Sequence, residues 1–407
     1  MILKSRKQRL AAIAALSAGV LVMTACGSSL GGSSDSGDSK NGDVKVGLIV
    51  AQTGGYADVG KDMENGFKLY LDQHNNELGG HKIDLTTVDE GDNPQTGVTA
   101  ATRLVSQDKV DVVVGVVSGA TATGSADIFT NGKVPVMFGN SGALSLGTDK
   151  ASPYIFRANY ANDQPLAVLG SHLKEELPAD EKVILIGPDY AGGHELLQGF
   201  KDVFPKDKIL GELYPPFNKT KDYSPYLSKI KQSGARNVVA FFAGREAIDF
   251  TQQFAKFGLS SSLQLYAAGD LTEGNALTAE VETAKGIKTV LNYNYDIDTP
   301  LNKKFAPAFE VKFGNQPTVR AAVMYDVAIM LDHAIDQIDG KVTRQAIADQ
   351  LAKITDVNGV RGNLHFNEQR TVVQDWYLRE VKEVAGQLTN VVLEKLPSEF
   401  LSSMPKG

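Results

Sequence analysis

The chain has a single cysteine in 407 residues, Cys26, which excludes an internal disulfide, a CxxC redox pair and a cysteine-rich zinc site. Its six histidines show no metal-ligand spacing, and His194-Glu195 does not open a zinc helix because Gln198 stands where the second histidine belongs. No GxSxG elbow, Walker lysine motif or GxGxxG turn is present, so neither an enzymatic reaction nor a cofactor is expected. Basic charge is not in excess either: 41 Lys and Arg face 48 Asp and Glu, a net charge of −7. Nucleic acid and anionic membrane surfaces, which need a basic face, are thereby disfavoured as main partners. Asp89, Glu90 and Asp92 crowd one turn, but they read as a solvated acidic turn rather than a calcium loop, so no metal is expected. No short-period repeat is visible.

What is there is an ordinary globular composition, 42% hydrophobic and 22% charged, on a chain long enough for two domains. Lys4, Arg6, Lys7 and Arg9 precede an apolar, Ala-rich run over 10–25 that is too short for a spanning helix and reads as a secretory signal. Met23-Thr24-Ala25-Cys26 resembles the bacterial lipobox, with Met23 where Leu is usual. The resemblance implies that Cys26 is lipidated and holds the protein at the outer face of the cytoplasmic membrane. Residues 27–43 are Gly, Ser and Asp with almost nothing to bury, a tether of roughly 20–25 Å by random-coil scaling.

From Val44 onward, short β-branched runs alternate with helical periodicity, the pattern of parallel sheets covered on both faces. Strands are expected over 44–51, 82–89, 110–114 and 134–138, with helices over 61–75, after Pro94, and over 122–131. A second series runs through helices 164–176, 195–203, 224–233 and 247–257, with strands 182–187, 208–214, 237–242 and 263–266. A strand over 289–295 and helices over 302–313, 320–337 and 344–354 follow. The predicted fold is α/β with two lobes: 44–160 with 290–362, and 161–289 with 363–398. Segments near Ala158, Val290 and Arg361 would form the hinge.

Ligands of open α/β sheets sit at the carboxyl ends of strands. The loops there are Thr53-Gly54-Gly55-Tyr56, then Ser118-Gly119-Ala120-Thr121, then Gly139-Asn140-Ser141-Gly142, each pairing glycine with a hydrogen-bonding side chain. Ser118 and Ser141 suit contact with a carboxylate at a helix N-terminus, and they equally suit N-caps. Tyr190 in Asp189-Tyr190-Ala191-Gly192-Gly193 offers an apolar face with a polar tip, or packs on the rim. Asp270, after Ala267-Ala268-Gly269, suits an ammonium group or an N-cap, and Arg245 suits a second anionic group or plain exposure.

Taken together the chain resembles the branched-chain amino acid (Leu/Ile/Val-type) solute-binding proteins of ABC transporters, with the type I periplasmic binding fold. The marks are Val46-Gly47-Leu48-Ile49 leading to Thr53-Gly54, Gly79-Gly80 with Asp89, Val110-Asp111-Val112-Val113-Val114-Gly115 leading to Ser118-Gly119, Val134-Pro135-Val136, Phe156-Arg157 with Asp163-Gln164, and Tyr325-Asp326-Val327-Ala328. The resemblance implies a small-molecule ligand between the lobes, ABC permease subunits as partners and a monomeric state. It places the ligand carboxylate on Ser118, Gly119 and Ala120 and on Asn140, Ser141 and Gly142, and the ammonium on Asp163 and Asp270. Gly142 stands where that family commonly has Thr. Gly192 stands where it often has an aromatic, which would leave space, and Arg245 replaces an aromatic found in several relatives. An amino acid or related zwitterion is the expected ligand; aromatic acids, amides, urea, or a sensory rather than transport role are the alternatives.

Overall fold

The computed structural model describes residues 42–403, so the signal segment, the lipobox at Cys26 and most of the tether lie outside the described residues. Six strands, β1 (Val44–Val50), β2 (Glu77–Leu78), β3 (His81–Asp89), β4 (Val112–Gly115), β5 (Val136–Phe138) and β6 (Ile155–Arg157), form a sheet in the order β2-β3-β1-β4-β5-β6. All pairings are parallel except β2 with β3. Helices α1 (Ala57–Gln73), α2 (Pro94–Arg103) and α3 (Gly119–Gly132) make the crossovers. Alternate residues of one strand feed opposite faces: Val46, Leu48 and Val50 join one apolar cluster and Ile49 the other. A continuous Val/Ile run is therefore what a strand buried on both sides needs.

The second sheet repeats this design. Helix α4 (Gln164–Glu176) leads through β7 (Val183–Ile186), α5 (Ala191–Val203), β8 (Ile209–Leu213), α6 (Ser224–Gln232), β9 (Asn237–Ala240), α7 (Gly244–Lys256), β10 (Gln264–Ala268) and α8 (Asn275–Glu280) to β11 (Lys288–Leu291). The chain then returns to the first sheet with α9 (Asn302–Phe313), α10 (Val319–Asp336) and α11 (Arg344–Leu351), whose apolar residues share a cluster with β1. A small antiparallel sheet of β12 (Val357–Gly359), β13 (Gly362–Phe366) and β14 (Val372–Val373) precedes a hairpin, β15 (Trp376–Val384) and β16 (Gln387–Leu396), that completes the second sheet beside β11. The strand expected over 289–295 ends at Leu291, and the hairpin was not anticipated. Helices α3 and α5 start three and four residues earlier than expected, because the glycines and small residues of their first turns carry weak helix propensity yet sit in close contact. A Cβ on Gly193 would lie 2.0 Å from the Pro188 carbonyl oxygen.

Three crossings join the sheets, and one buried polar network ties them together. Arg361 and Asp326 are both fully buried, with Nε donating to Oδ2 at 2.7 Å. Arg361 Nη2 donates to Ala158 O at 2.9 Å at the first crossing, and Nη1 donates to Gln374 Oε1 at the third. Asn292, at the second crossing, donates through Nδ2 to Gln374 Oε1 at 2.8 Å and Asn159 Oδ1 at 3.1 Å. Breaking a buried pair strands one charge, so Asp326→Ala should cost about 3–5 kcal/mol in urea unfolding, far more than a surface substitution.

Away from the crossings, Glu280 at the end of α8 is 1% exposed, and neither carboxylate oxygen has a hydrogen-bond partner among the described residues. Burial pushes its carboxyl up to about 9, the nearby Thr251 hydroxyl offsetting only part of this. The folded state thus holds a proton that the unfolded chain releases near pH 4.5, so this contribution is complete below pH 4.5 and fades as pH rises towards 9. Glu280→Gln should raise stability at pH 8 by on the order of 1–3 kcal/mol and flatten the pH dependence of the melting temperature between 5 and 9.

Candidate functional site

The loops at the carboxyl ends of the first sheet are held by acids. Asp89 accepts from Gln52 N at 2.8 Å and Thr53 Oγ1 at 2.8 Å, and Asp92 Oδ1 accepts from Gly55 N at 3.0 Å. Gly54, at φ 82°, packs so tightly on Asp92 that a Cβ would overlap its carboxylate. These bonds set Tyr56 at the start of α1. Glu90 is 1% exposed and accepts from Val117 N at 2.7 Å and Ser118 N at 2.8 Å. The expected solvated acidic turn is therefore a set of clamps, one of them buried, because loop amides with no sheet partner need acceptors.

Val116, just before this loop, has φ 63°, a left-handed conformation that strains a β-branched residue. Ser118 is the N-cap of α3, its Oγ accepting from Thr121 N at 3.4 Å. A Cβ on Gly119 would lie 3.7 Å from Ser141 Oγ, so the two hydroxyl loops meet at the first turn of α3, where Ala120 is exposed. Ser141 is 3% exposed, and its Oγ has no hydrogen-bond partner among the described residues. Asn140 donates through Nδ2 to Val117 O at 2.7 Å, while its buried Oδ1 is unpartnered. Gly142 leaves no room for a threonine: a Cβ would lie 2.5 Å from Tyr160 O and 2.6 Å from Asn162 Oδ1.

On the second lobe, Tyr190 caps α5 and stacks on Phe217 with centroids 4.3 Å apart. A Cβ on Gly192 would lie 2.7 Å from that tyrosine ring, so the space expected at Gly192 is filled by Tyr190 itself. Asp270 is buried, paired with Arg320 through Oδ1, and accepts from Tyr160 Oη at 3.1 Å through Oδ2. Tyr56 lies beside this group; burial, then Glu246 and Asp270, push its phenol up to about 12. Burial likewise raises the phenols of Tyr160 and Tyr190, which keeps all three as neutral donors.

Arg245 and Asp163 have charged partners other than those expected. Arg245 is 81% exposed in its side chain and paired with Asp249 at 3.0 Å one turn along α7. The helix starts on Gly244 at φ 56°, which turns Arg245 to solvent and Glu246 inward, where it accepts from Asn218 N at 2.9 Å. Asp163, at the N-cap of α4, lies near Arg157; burial, with Asp202 adding to it, raises its carboxyl against the pull of Arg157, and its Oδ1 is buried with no hydrogen-bond partner among the described residues.

Arg320, Tyr160, Glu246 and Glu90 were missed by the sequence reading. Arg320 had a signal: it is a lone cation in the first turn of the otherwise apolar stretch Val319-Arg320-Ala321-Ala322-Val323-Met324, against the helix dipole. The lobes are in contact around it. Glu273 Oε1 accepts from Val319 N at 2.9 Å, Asn275 donates to Asp58 at 2.7 Å, and Glu195 accepts from Leu144 N at 3.4 Å.

Alternating strands and helices in two mostly parallel sheets are the architecture of a known family. The model of the family described as periplasmic binding protein matches residues 43–387. The chain belongs to the periplasmic binding protein family. Within it the chain is of the branched-chain amino acid type: Leu/Ile/Val-binding protein homolog 6 of Brucella melitensis is 30% identical over 83% of this chain and 87% of its own. An ABC transporter substrate-binding protein from Sphaerobacter thermophilus is 27% identical at a TM-score of 0.82, over 88% of this chain and 98% of its own. A solute-binding protein of an ABC transporter from R. palustris, solved in complex with benzoate, is 28% identical at a TM-score of 0.79 over the same shares. This periplasmic binding protein is of type I fold, extracytoplasmic by family, a small-molecule binder that works with an ABC transporter and is not an enzyme. Among the described residues no helix is long and apolar enough to cross a membrane.

The contacts at Gly142 give a direct test. Gly142→Thr should lower stability by about 1–3 kcal/mol, the usual cost of overpacking, and a calorimetric scan reads it as a lower melting temperature.

Proposed function

We propose that this chain is the solute-receiving component of an ABC importer and that its solute is a small carboxylate gripped between the two lobes. The observation that carries this reading is the Ser141 hydroxyl, buried and unpaired against the first turn of α3. Free N–H groups at a helix start together with an unsatisfied hydroxyl form a ready carboxylate receptor. Gly119, Ala120, Ser141 and Asn140 are its residues, with Ser118 shaping it as the cap.

Two solute classes fit. For an amino acid, the class expected from the sequence, the ammonium would meet Glu246 or Asp270 beside Tyr190, and the Leu/Ile/Val-binding relatives support that assignment. The rings of Tyr56, Tyr160, Tyr190 and Phe217 favour an aromatic carboxylate instead, and the benzoate complex of the R. palustris protein supports this second reading. In either case the solute docks on the first lobe and hinge closure brings Tyr190 and Asp270 onto it. The chain acts as a monomer tethered at the outer face of the cytoplasmic membrane through lipidated Cys26.

Thermal-shift screening of amino acids and aromatic acids should yield a stabilising carboxylate, since a ligand that prefers the native state raises its melting temperature. Ser141→Ala should weaken that ligand about 10–100-fold, the worth of a hydrogen bond to a charged group, while leaving the apoprotein as stable as before or more so. Unchanged affinity in Ser141→Ala would remove the carboxylate from this loop.

A further inference from the structure

The charge at the far end of the cleft comes from both lobes. Arg320 projects from the first turn of α10 and pairs with Asp270, which follows β10. The second Asp270 oxygen is taken by Tyr160 Oη at 3.1 Å. Both carboxylate oxygens of Asp270 are thus engaged in a buried setting. The guanidinium is not: Arg320 is 8% exposed, and its Nη1 is buried with no hydrogen-bond partner among the described residues.

A buried donor left unpaired is costly, and on a charged group more so. Among the described residues no carboxylate beyond Asp270 pairs with Arg320; the Tyr160 hydroxyl beside the guanidinium donates to Asp270, and Glu273 nearby is spent on Val319 N at 2.9 Å and Arg379 Nη1 at 2.9 Å. The unmet demand at this end of the cleft is for an acceptor. An ammonium group would face a cation here, with Asp270 already neutralised.

We propose that Arg320 is a ligand-binding residue that receives a second acceptor group of the solute, and that Asp270 serves as its counter-ion rather than as an ammonium receptor. The proposal rests on the reading that a carboxylate occupies the Ser141 loop. It defines the solute as a carboxylate whose other end carries a phenolic oxygen or a second carboxylate. The two ends are one residue apart in the protein: the Tyr160 carbonyl abuts Gly142 in the carboxylate loop, and its hydroxyl meets Asp270. The tyrosines around Arg320 exclude water from the pair and present flat faces, which suits an aromatic spacer.

The experiment is isothermal titration of the purified chain with benzoate, 4-hydroxybenzoate, terephthalate and isoleucine, in wild type and in Arg320→Gln, Asp270→Asn and Ser141→Ala. In the wild type, 4-hydroxybenzoate or terephthalate should bind at least about tenfold more tightly than benzoate, as a hydrogen bond to a charged group implies. Arg320→Gln should collapse that ratio towards one. Asp270→Asn should tighten terephthalate, because the cation loses its internal partner. An ammonium receptor predicts the opposite: isoleucine as the best wild-type ligand, lost in Asp270→Asn and retained in Arg320→Gln. That result overturns the proposal. So does a preference ratio unchanged by Arg320→Gln when Ser141→Ala weakens every probe, which leaves the carboxylate reading standing. Affinities indifferent to Ser141→Ala, or no binding by any probe, overturn both. Should Arg320→Gln fail to fold, Asp270→Asn decides alone: tighter terephthalate supports the proposal, and loss of isoleucine with terephthalate no tighter overturns it.

Discussion

The two sheets of this molecule are joined around a guanidinium sealed inside the protein. Arg361 has no solvent to relax into, so it must be satisfied by the protein: its partners come from α10 and from the first and third places where the chain passes between the sheets, and Asn292 of the second joins through Gln374. A buried ion pair is a weak source of stability but a demanding one of geometry. It specifies where the crossings lie relative to one another. Asp326, its carboxylate partner, sits on α10, and the same helix presents Arg320 to the cleft six residues earlier. One buried helix therefore connects the network at the crossings to the ion pair between the two lobes.

The fold was legible in the sequence wherever the physics is local. Runs such as Val112–Gly115 can only be strands buried on both faces, and Pro94 behind Asn93 starts a helix by its own chemistry. The N-cap role of Ser118 was likewise written in its neighbours. What stayed hidden was set by distant partners. Nothing near Glu90 announces that its carboxylate will be buried against amides 27 and 28 residues away. Arg245 and Glu246 are adjacent, and which one turns inward depends on the left-handed start of α7 at Gly244, a backbone fact with only a glycine as its trace.

The candidate site shows the same division. Loops at strand ends are predictable because crossover topology puts them there. Charges inside the cleft were harder to assign, because their roles are pairwise: Asp270 alone reads as a receptor, but Asp270 beside Arg320 reads as a counter-charge. Resemblance to a family carries over single residues more safely than it carries over pairs. Gly192 makes the point sterically, since what looked like vacated space is occupied by the Tyr190 ring, and at Gly142 the Tyr160 backbone leaves no room for the family's threonine.

The clamp by Glu90 has a consequence for how recognition is energised. Because the protein's own carboxylate saturates the amides of Val117 and Ser118, the loop holds its shape before any solute arrives. Its ordering entropy is charged to folding rather than to association, as preorganised receptors do. With the loop already shaped, differences among solutes are written mainly in how long each one stays.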